Sequence, residues 1–135
     1  MLKSLWMLLS LLNSPTELDC LAKNVYFESR NQSISGQYAV AEVTLNRVEA
    51  SYWPNSVCGV VKQKNQFTWF WDGKSDKPKD KKAWKIAQQV AINSITRPTN
   101  ITGGATFYHA NYVSPKWAKT YTRTITIDKH EFYKI

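Results

Sequence analysis

The chain has 135 residues, which is enough for one domain with a single hydrophobic core. Hydrophobic residues make up 43% of it and aromatic residues 13%, which excludes a disordered composition. The net charge of +8 predicts attraction to polyanions, either nucleic acid or an anionic cell envelope.

The first predicted element is an apolar segment over residues 1–14. Lys3 followed by the apolar run Leu5–Leu12 resembles a short secretion signal, and the same residues fit an amphipathic helix equally well. The run is too short to span a bilayer. We therefore predict an N-terminal segment over 1–14, as a signal or a helix, followed by one domain over 15–135.

A helix is predicted to begin near Glu17, with Thr16 as its cap. Its apolar side is formed by residues at helical spacing: Leu18, Leu21, Ala22 and Val25. Glu28 lies off that side and follows two aromatic residues in the sequence. A carboxyl group beside rings can hold a proton near neutral pH, so Glu28 is our candidate catalytic acid. The alternative is an ordinary solvated glutamate.

More helix is predicted along the middle of the chain. An apolar pattern from about Ser35 to Val48 indicates a core helix that opens with a cap-like Ser35-Gly36, and Ser56 is placed to cap a short one. Residues 65–73, reading NQFTWFWDG, form an aromatic loop that either plugs the core or stacks on a ligand. Six lysines in residues 74–85 suggest a solvated loop and the outer face of a long helix starting at Asp80.

The last third of the chain predicts strands. Gly103-Gly104 allows a tight turn, and residues 105–110 and 121–128 alternate in polarity. We expect these two strands to pair as a small antiparallel sheet. The predicted fold class is therefore α+β, mainly helical, in a single domain.

The two cysteines, Cys20 and Cys58, form either one disulfide or two buried thiols. Neither lies in a zinc-binding spacing, and His109 and His130 lie far apart in the sequence. We expect no metal site and no cofactor.

Taken in order, these segments resemble the bacterial cell-wall hydrolase family that includes the spore-cortex-lytic enzymes. Six segments between about Cys20 and Tyr133 carry the resemblance: LAKNVYFESRNQ, GQYAVAEVTLNRV, WPNSVCGVVKQ, QFTWFWDG, GGATFYHANYVSPKWA and HEFY. The resemblance implies a lysozyme-like or lytic-transglycosylase-like catalytic domain over 15–135 that cleaves peptidoglycan glycan strands. It also implies that Glu28 is the catalytic acid, and Cys20 and Cys58 match cysteine positions of some members.

The family often carries a second glutamate four residues after the first, where this chain has Gln32. Because Gln32 cannot ionise, a mechanism with that carboxylate pair is not available here. Muramidase-type hydrolysis would need another carboxylate, for which Glu42 and Glu49 are candidates. Lytic transglycosylation needs only Glu28, because the 6-hydroxyl of the sugar itself attacks, and we favour that chemistry.

Substrate contacts are expected from the polar and aromatic segments around the acid. Hydrogen bonds to sugar groups are assigned to the polar candidates: Gln32, Gln37, Tyr108, His109 and Asn111. Trp69 and Trp71 are the candidates for stacking on sugar rings. For each residue the alternative is a structural role in the core.

We expect a monomer that binds peptidoglycan and the anionic envelope but not nucleic acid. It would act in the cell wall or periplasm or as a secreted protein, of phage or bacterial origin. The rival interpretation is a non-catalytic, basic, aromatic-rich protein that binds cell wall or single-stranded nucleic acid. In that interpretation residues 74–85 contact phosphates and the aromatic rings stack on bases.

Overall fold

The computed structural model describes residues 14–63 and 66–135. All but the last residue of the predicted N-terminal segment lie outside this range. The described elements are, in order, α1 (Pro15–Ser29), α2 (Ile34–Glu49), α3 (Val57–Val61), α4 (Thr68–Trp71), α5 (Lys81–Thr96), β1 (Phe107–Ala110), a 3-10 helix (Lys116–Lys119), β2 (Thr122–Ile127) and β3 (His130–Lys134). Over the described part of the chain, no helix combines the length and apolar character that crossing a membrane requires.

Serine and aspartate side chains begin the helices. Ser14 accepts a hydrogen bond from the Glu17 backbone N–H at 3.3 Å, so the cap of α1 lies two residues before the predicted cap at Thr16. Ser33 likewise caps α2, two residues before the predicted cap at Ser35. The caps predicted for the later helices are confirmed: Ser56 begins α3 and Asp80 begins α5.

The main core lies between the helices. α1 packs against α5, α2 and α3, and the aliphatic side chains at the centre are fully buried. They are Leu21, Val25, Val57, Val60, Val61, Val90 and Ile95. Burial of each such side chain contributes roughly 1.5–3 kcal/mol to the free energy of folding. This packing holds α1 in a fixed orientation within the bundle.

The sheet has three strands in the order β1-β3-β2, all antiparallel. The predicted pairing of residues 105–110 with 121–128 is therefore wrong, because the C-terminal residues His130–Lys134 form a strand between them. Phe132 of this central strand is fully buried and packs on Ala39 and Val43 of α2. That second, smaller core fixes the sheet against the helices.

A polar contact also ties the sheet to the start of α2. Asp128, in the turn between β2 and β3, accepts hydrogen bonds from the Ser33 backbone N–H at 3.0 Å and hydroxyl at 2.6 Å. Gly36 allows this approach, since a Cβ atom there would lie 2.6 Å from the Asp128 carboxylate. The sheet and the helices are thus joined at both the core and the surface.

Cys20 of α1 and Cys58 of α3 form a disulfide. The sequence left open one disulfide or two buried thiols, and the structure has the disulfide. The bridge closes a loop between residues 38 positions apart. Beside it, Glu17 accepts hydrogen bonds from the backbone N–H groups of Val57 and Cys58 at 2.8 and 3.0 Å. α1 and α3 are therefore joined covalently and through the first turn of α3.

Replacing both cysteines with alanine is expected to lower the free energy of unfolding by about 4 kcal/mol, because a loop of this length gains that much entropy when released. The melting temperature should fall by roughly 10–20 °C. Thermal denaturation with and without a reducing agent measures this. The double variant should be insensitive to reductant, and a wild-type protein equally insensitive would contradict the prediction.

Candidate active site

Glu28 stands on the last turn of α1, half-buried, and its carboxylate accepts a hydrogen bond from the Tyr108 hydroxyl of β1. One helical turn earlier, buried Asn24 donates to Thr44 of α2 at 3.1 Å and accepts from the Trp69 indole N–H at 2.8 Å. These bonds fix the face of α1 that carries Glu28 against α2 and α4. The acid is therefore held by three helices and one strand.

Burial is the largest influence on the pKa of Glu28 and raises it above its ordinary value. The hydrogen bond from Tyr108 and the positive charge of Arg47 both lower the pKa, but their effect is smaller. Glu28 therefore keeps its proton to a higher pH than a solvated glutamate. A group in this state can donate a proton and afterwards exist as a stabilised carboxylate.

Tyr108 is positioned by the sheet. It pairs with Phe132 in the register of β1 and β3, and its ring packs against the rings of His130 and Phe132 at centroid distances of 5.1 and 5.5 Å. Burial and the neighbouring Glu28 carboxylate raise the pKa of Tyr108 well above its usual value. Tyr108 therefore stays a phenol and remains a hydrogen-bond donor to Glu28.

Arg47 is the site residue that the sequence analysis missed. Its side chain is buried, donates from Nε to the Thr106 carbonyl at 2.7 Å, and lies about 5.4 Å from the ring centres of Trp53 and Phe107. A second donation reaches Gln66 at 3.1 Å. Its charge favours the ionised form of Glu28. One feature of the sequence could have identified Arg47: it is a cation within an apolar helical pattern. Burying a cation costs free energy unless it has a hydrogen-bond or ionic partner.

The strand geometry separates two residues that were predicted to act together. Successive side chains of a strand point to opposite faces, so Tyr108 faces α1 while His109 faces away. His109 Nδ1 lies 2.7 Å from the Ala110 carbonyl and Nε2 lies 3.0 Å from the Tyr133 hydroxyl, and its ring stacks on that of Tyr133. Both ring nitrogens of His109 therefore have partners within the fold, and its predicted sugar contact stays a prediction.

The two tryptophans predicted to stack on sugars differ in exposure. Trp69 is 8% exposed, stacks on Phe27 and donates to Asn24, so it belongs to the core, and its predicted stacking on a sugar stays a prediction. Trp71 is 52% exposed at the end of α4 and stays a stacking candidate. The segment is also not a loop throughout, since residues 68–71 form the short helix α4.

The polar candidates fall into two groups as well. Gln37 is buried and donates to the Gln32 carbonyl at 3.4 Å, so the structure gives it a place inside the fold rather than at the surface. Gln32 is half-buried in the turn after Glu28, and Asn111 is exposed directly after β1. Gln32 and Asn111 therefore stay candidates for substrate contact.

Glu42 does not qualify as a second catalytic carboxylate. It is buried and accepts hydrogen bonds from the Thr99 hydroxyl, the backbone N–H groups of Ile101 and Thr102, and the Thr102 hydroxyl. A cavity of about 230 Å³ is lined by both Glu42 and Glu49, and Glu28 is not among its lining residues. Glu42 thus anchors the loop that leads to β1, and Glu49 faces that separate cavity.

Replacing Tyr108 with phenylalanine should raise the pKa of Glu28 further, because the hydrogen bond that favours the carboxylate is lost. We expect the rate of glycan cleavage to fall by about tenfold, and the alkaline limb of its pH profile to move to higher pH. Rates measured across pH on purified cell-wall sacculi test this. Tyr133→Phe, which removes a hydroxyl on the opposite face of the sheet, is the matched control.

A family model described as cell wall hydrolase matches residues 31–133. Among curated proteins, a spore cortex-lytic enzyme from Bacillus cereus is 36% identical over 122 residues, and one from Oceanobacillus iheyensis is 31% identical over 123 residues. Each alignment covers 90% of this chain but only 45% and 42% of the relative. The chain therefore spans less than half the length of these relatives.

Two solved structures share the fold. The catalytic domain of the germination-specific lytic transglycosylase SleB from Bacillus anthracis is 34% identical, with a TM-score of 0.75 over 90% of this chain and 96% of that one. The catalytic domain of the Bacillus cereus SleB protein is 33% identical, with a TM-score of 0.78 over 90% and 91%. These matches confirm the predicted mainly helical α+β fold with a small antiparallel sheet.

Proposed function

This chain belongs to the cell wall hydrolase family, and from that we propose that it cleaves peptidoglycan glycan strands by lytic transglycosylation, with Glu28 as the general acid. The observation that carries the proposal is the half-buried Glu28 carboxyl, which has a raised pKa and is held by Tyr108 near the charge of Arg47. The similarity to the SleB catalytic domains supports the same chemistry.

The first step uses the proton that burial keeps on Glu28. The carboxyl group donates it to the glycosidic oxygen, the bond from that oxygen to the sugar C1 breaks, and positive charge develops at C1. The resulting Glu28 carboxylate is stabilised by the Tyr108 hydroxyl and by the charge of Arg47. Both partners thus act after the proton has left.

The second step returns the proton. The 6-hydroxyl of the same sugar attacks C1, and the Glu28 carboxylate accepts its hydrogen, so the acid is regenerated and a 1,6-anhydro sugar forms. No other carboxylate is required, which agrees with Gln32 at the family's second acidic position and with Glu42 being fully engaged elsewhere. This is why we favour transglycosylation over muramidase-type hydrolysis.

Mass spectrometry of the soluble products from purified sacculi tests the chemistry. Fragments ending in 1,6-anhydromuramic acid are expected, and fragments with reducing ends would instead indicate hydrolysis by water. A chain that binds sacculi but releases no fragments would favour the non-catalytic alternative. The disulfide between Cys20 and Cys58 is consistent with work in an oxidising compartment at the cell wall.

A further inference from the structure

Residues 74–85, called here the lysine strip, carry six lysines that the proposed cleavage chemistry does not use. All six are exposed: Lys74, Lys77, Lys79, Lys81, Lys82 and Lys85. Against them the strip contains two acids, Asp76 and Asp80, so its formal charge is +4. That is half of the net charge of the whole chain, concentrated in twelve residues.

The stability of the fold does not account for these charges. Among the described residues, the ion pairs join Lys23 to Asp19 and Arg123 to Glu131, and none includes a lysine of the strip. The Asp80 carboxylate is already used as the cap of α5, where it accepts from the Ala83 N–H at 3.0 Å. Within residues 14–63 and 66–135, the strip therefore consists of solvent-exposed cations without an ion-pair partner.

Three of the lysines lie where positive charge is unfavourable. Lys81 and Lys82 occupy the first two positions of α5, at the positive end of the helix dipole. Lys85 follows Lys81 by one turn, and like charges at that spacing repel each other. An arrangement that costs stability points to a binding role for these side chains.

The strip also lies at the end of α1 that carries Glu28. The Asp80 N–H donates to the Tyr26 hydroxyl at 3.0 Å, and Tyr26 lies two residues before Glu28, on the opposite side of α1. At its other end the strip follows α4, whose Trp69 is hydrogen-bonded to Asn24 one turn before Glu28. The segment thus passes around the C-terminal end of α1, from the side that carries Asn24 and Glu28 to the side that carries Tyr26.

We propose that the lysine strip binds the carboxylate groups of the peptide stems on the glycan strand and holds that strand against Glu28. The proposal rests on the proposed function, which makes peptidoglycan the substrate. Lysine ammonium groups are compact point charges on flexible stems, without the planar fork with which arginine reads one defined anion. Such a set suits anionic groups that are repeated along a polymer and variably oriented.

Replacing four lysines of the strip with neutral glutamine tests the proposal. The variant K74Q/K77Q/K79Q/K82Q is compared with K116Q/K119Q/K129Q/K134Q, which removes the same charge from exposed positions elsewhere. Both are combined with Glu28→Gln so that binding to sacculi is measured without cleavage. At low salt the strip variant should bind about tenfold more weakly than the control, and the difference should disappear in high salt.

The chemistry of the sacculi identifies the anion. When the stem carboxylates are converted to neutral amides, the two variants should bind equally. A difference that persists on amidated sacculi, but disappears after phosphodiester polymers are stripped from them, would overturn the proposal in favour of another envelope polymer. Loss of DNA binding alone in the strip variant, with sacculus binding unchanged, would overturn it as well.

Measuring cleavage by the strip variant with the native Glu28 in place separates this proposal from the proposed function. On glycan strands freed of peptide stems, the strip variant and the wild type should be equally active, and the variant should melt at or above the wild-type temperature. If the wild type cleaves neither substrate, the proposed function fails. If the wild type cleaves both and the strip variant matches it on intact sacculi at low salt, only the lysine strip proposal fails.

Discussion

Glu28→Gln is expected to lower the rate of glycan cleavage by about 10³–10⁴-fold, because the same carboxyl group serves as the acid and then as the base. The amide has nearly the shape of the carboxyl and can still accept the hydrogen bond from Tyr108. Folding and binding to sacculi should therefore be retained. Release of soluble fragments from sacculi measures the loss.

The matched control is Glu131→Gln, at a carboxylate on the sheet that pairs with exposed Arg123 at 2.7 Å. That change should leave cleavage within a factor of about two, since a surface ion pair contributes little. If Glu28→Gln retained more than a tenth of the wild-type rate, the assignment of the acid would be wrong.

The same Glu28→Gln variant should be more stable than the wild type at neutral pH. The pKa of Glu28 is raised in the folded state above its unfolded value of 4.5, so its contribution to stability is full below that value and is lost as the pH rises through the folded pKa. The substituted amide does not ionise, so the variant has no such loss. Denaturant unfolding at several pH values should show that the free energy of unfolding of the variant exceeds that of the wild type by a margin that grows from pH 4 towards pH 7.

Arg47→Met is expected to lower both stability and activity. Unfolding free energy should fall by about 2–3 kcal/mol, since the buried Thr106 carbonyl loses its charged donor. The pKa of Glu28 should rise, because the positive charge that favours its carboxylate is gone. The alkaline limb of the pH–rate profile should therefore shift to higher pH, and the maximal rate should fall.

Arg47→Lys separates the charge from the hydrogen bonds. Lysine keeps the positive charge but cannot reproduce the donations to Thr106 and Gln66 together. We expect the Arg47→Lys variant to lose stability as Arg47→Met does. Its pH profile of the cleavage rate should stay closer to that of the wild type. Identical pH profiles for all three proteins would show that the charge at this position does not influence Glu28.

Much of the helical framework could be read from the sequence because its signals are local. Ser56 and Asp80 cap the helices that follow them, and an apolar residue every three or four positions defines each buried face. The caps of the first two helices were each predicted two residues too late, because the sequence offers two capping residues at both starts, Ser14 and Thr16 at one and Ser33 and Ser35 at the other. The candidate acid also came from local sequence, as Glu28 follows two aromatic residues.

The partners of that acid could not be read in the same way. Tyr108 lies 80 positions from Glu28, and only the packing of β1 on the helices brings them together. Arg47 stands within an apolar helical pattern, and only its three-dimensional surroundings show that it is buried among rings. Exposure also separated Trp71 from Trp69, two residues that share one sequence pattern.

By itself the sequence determined the helices α1, α2, α3 and α5, the candidate acid and the family resemblance, because caps, periodicity and short motifs act over a few residues. Tertiary structure alone decided that His130–Lys134 is the central strand, and thereby which face of β1 meets Glu28. Strand order depends on contacts between distant segments, and a side chain's face depends on that order. The environment that raises the pKa of Glu28 is a product of this packing.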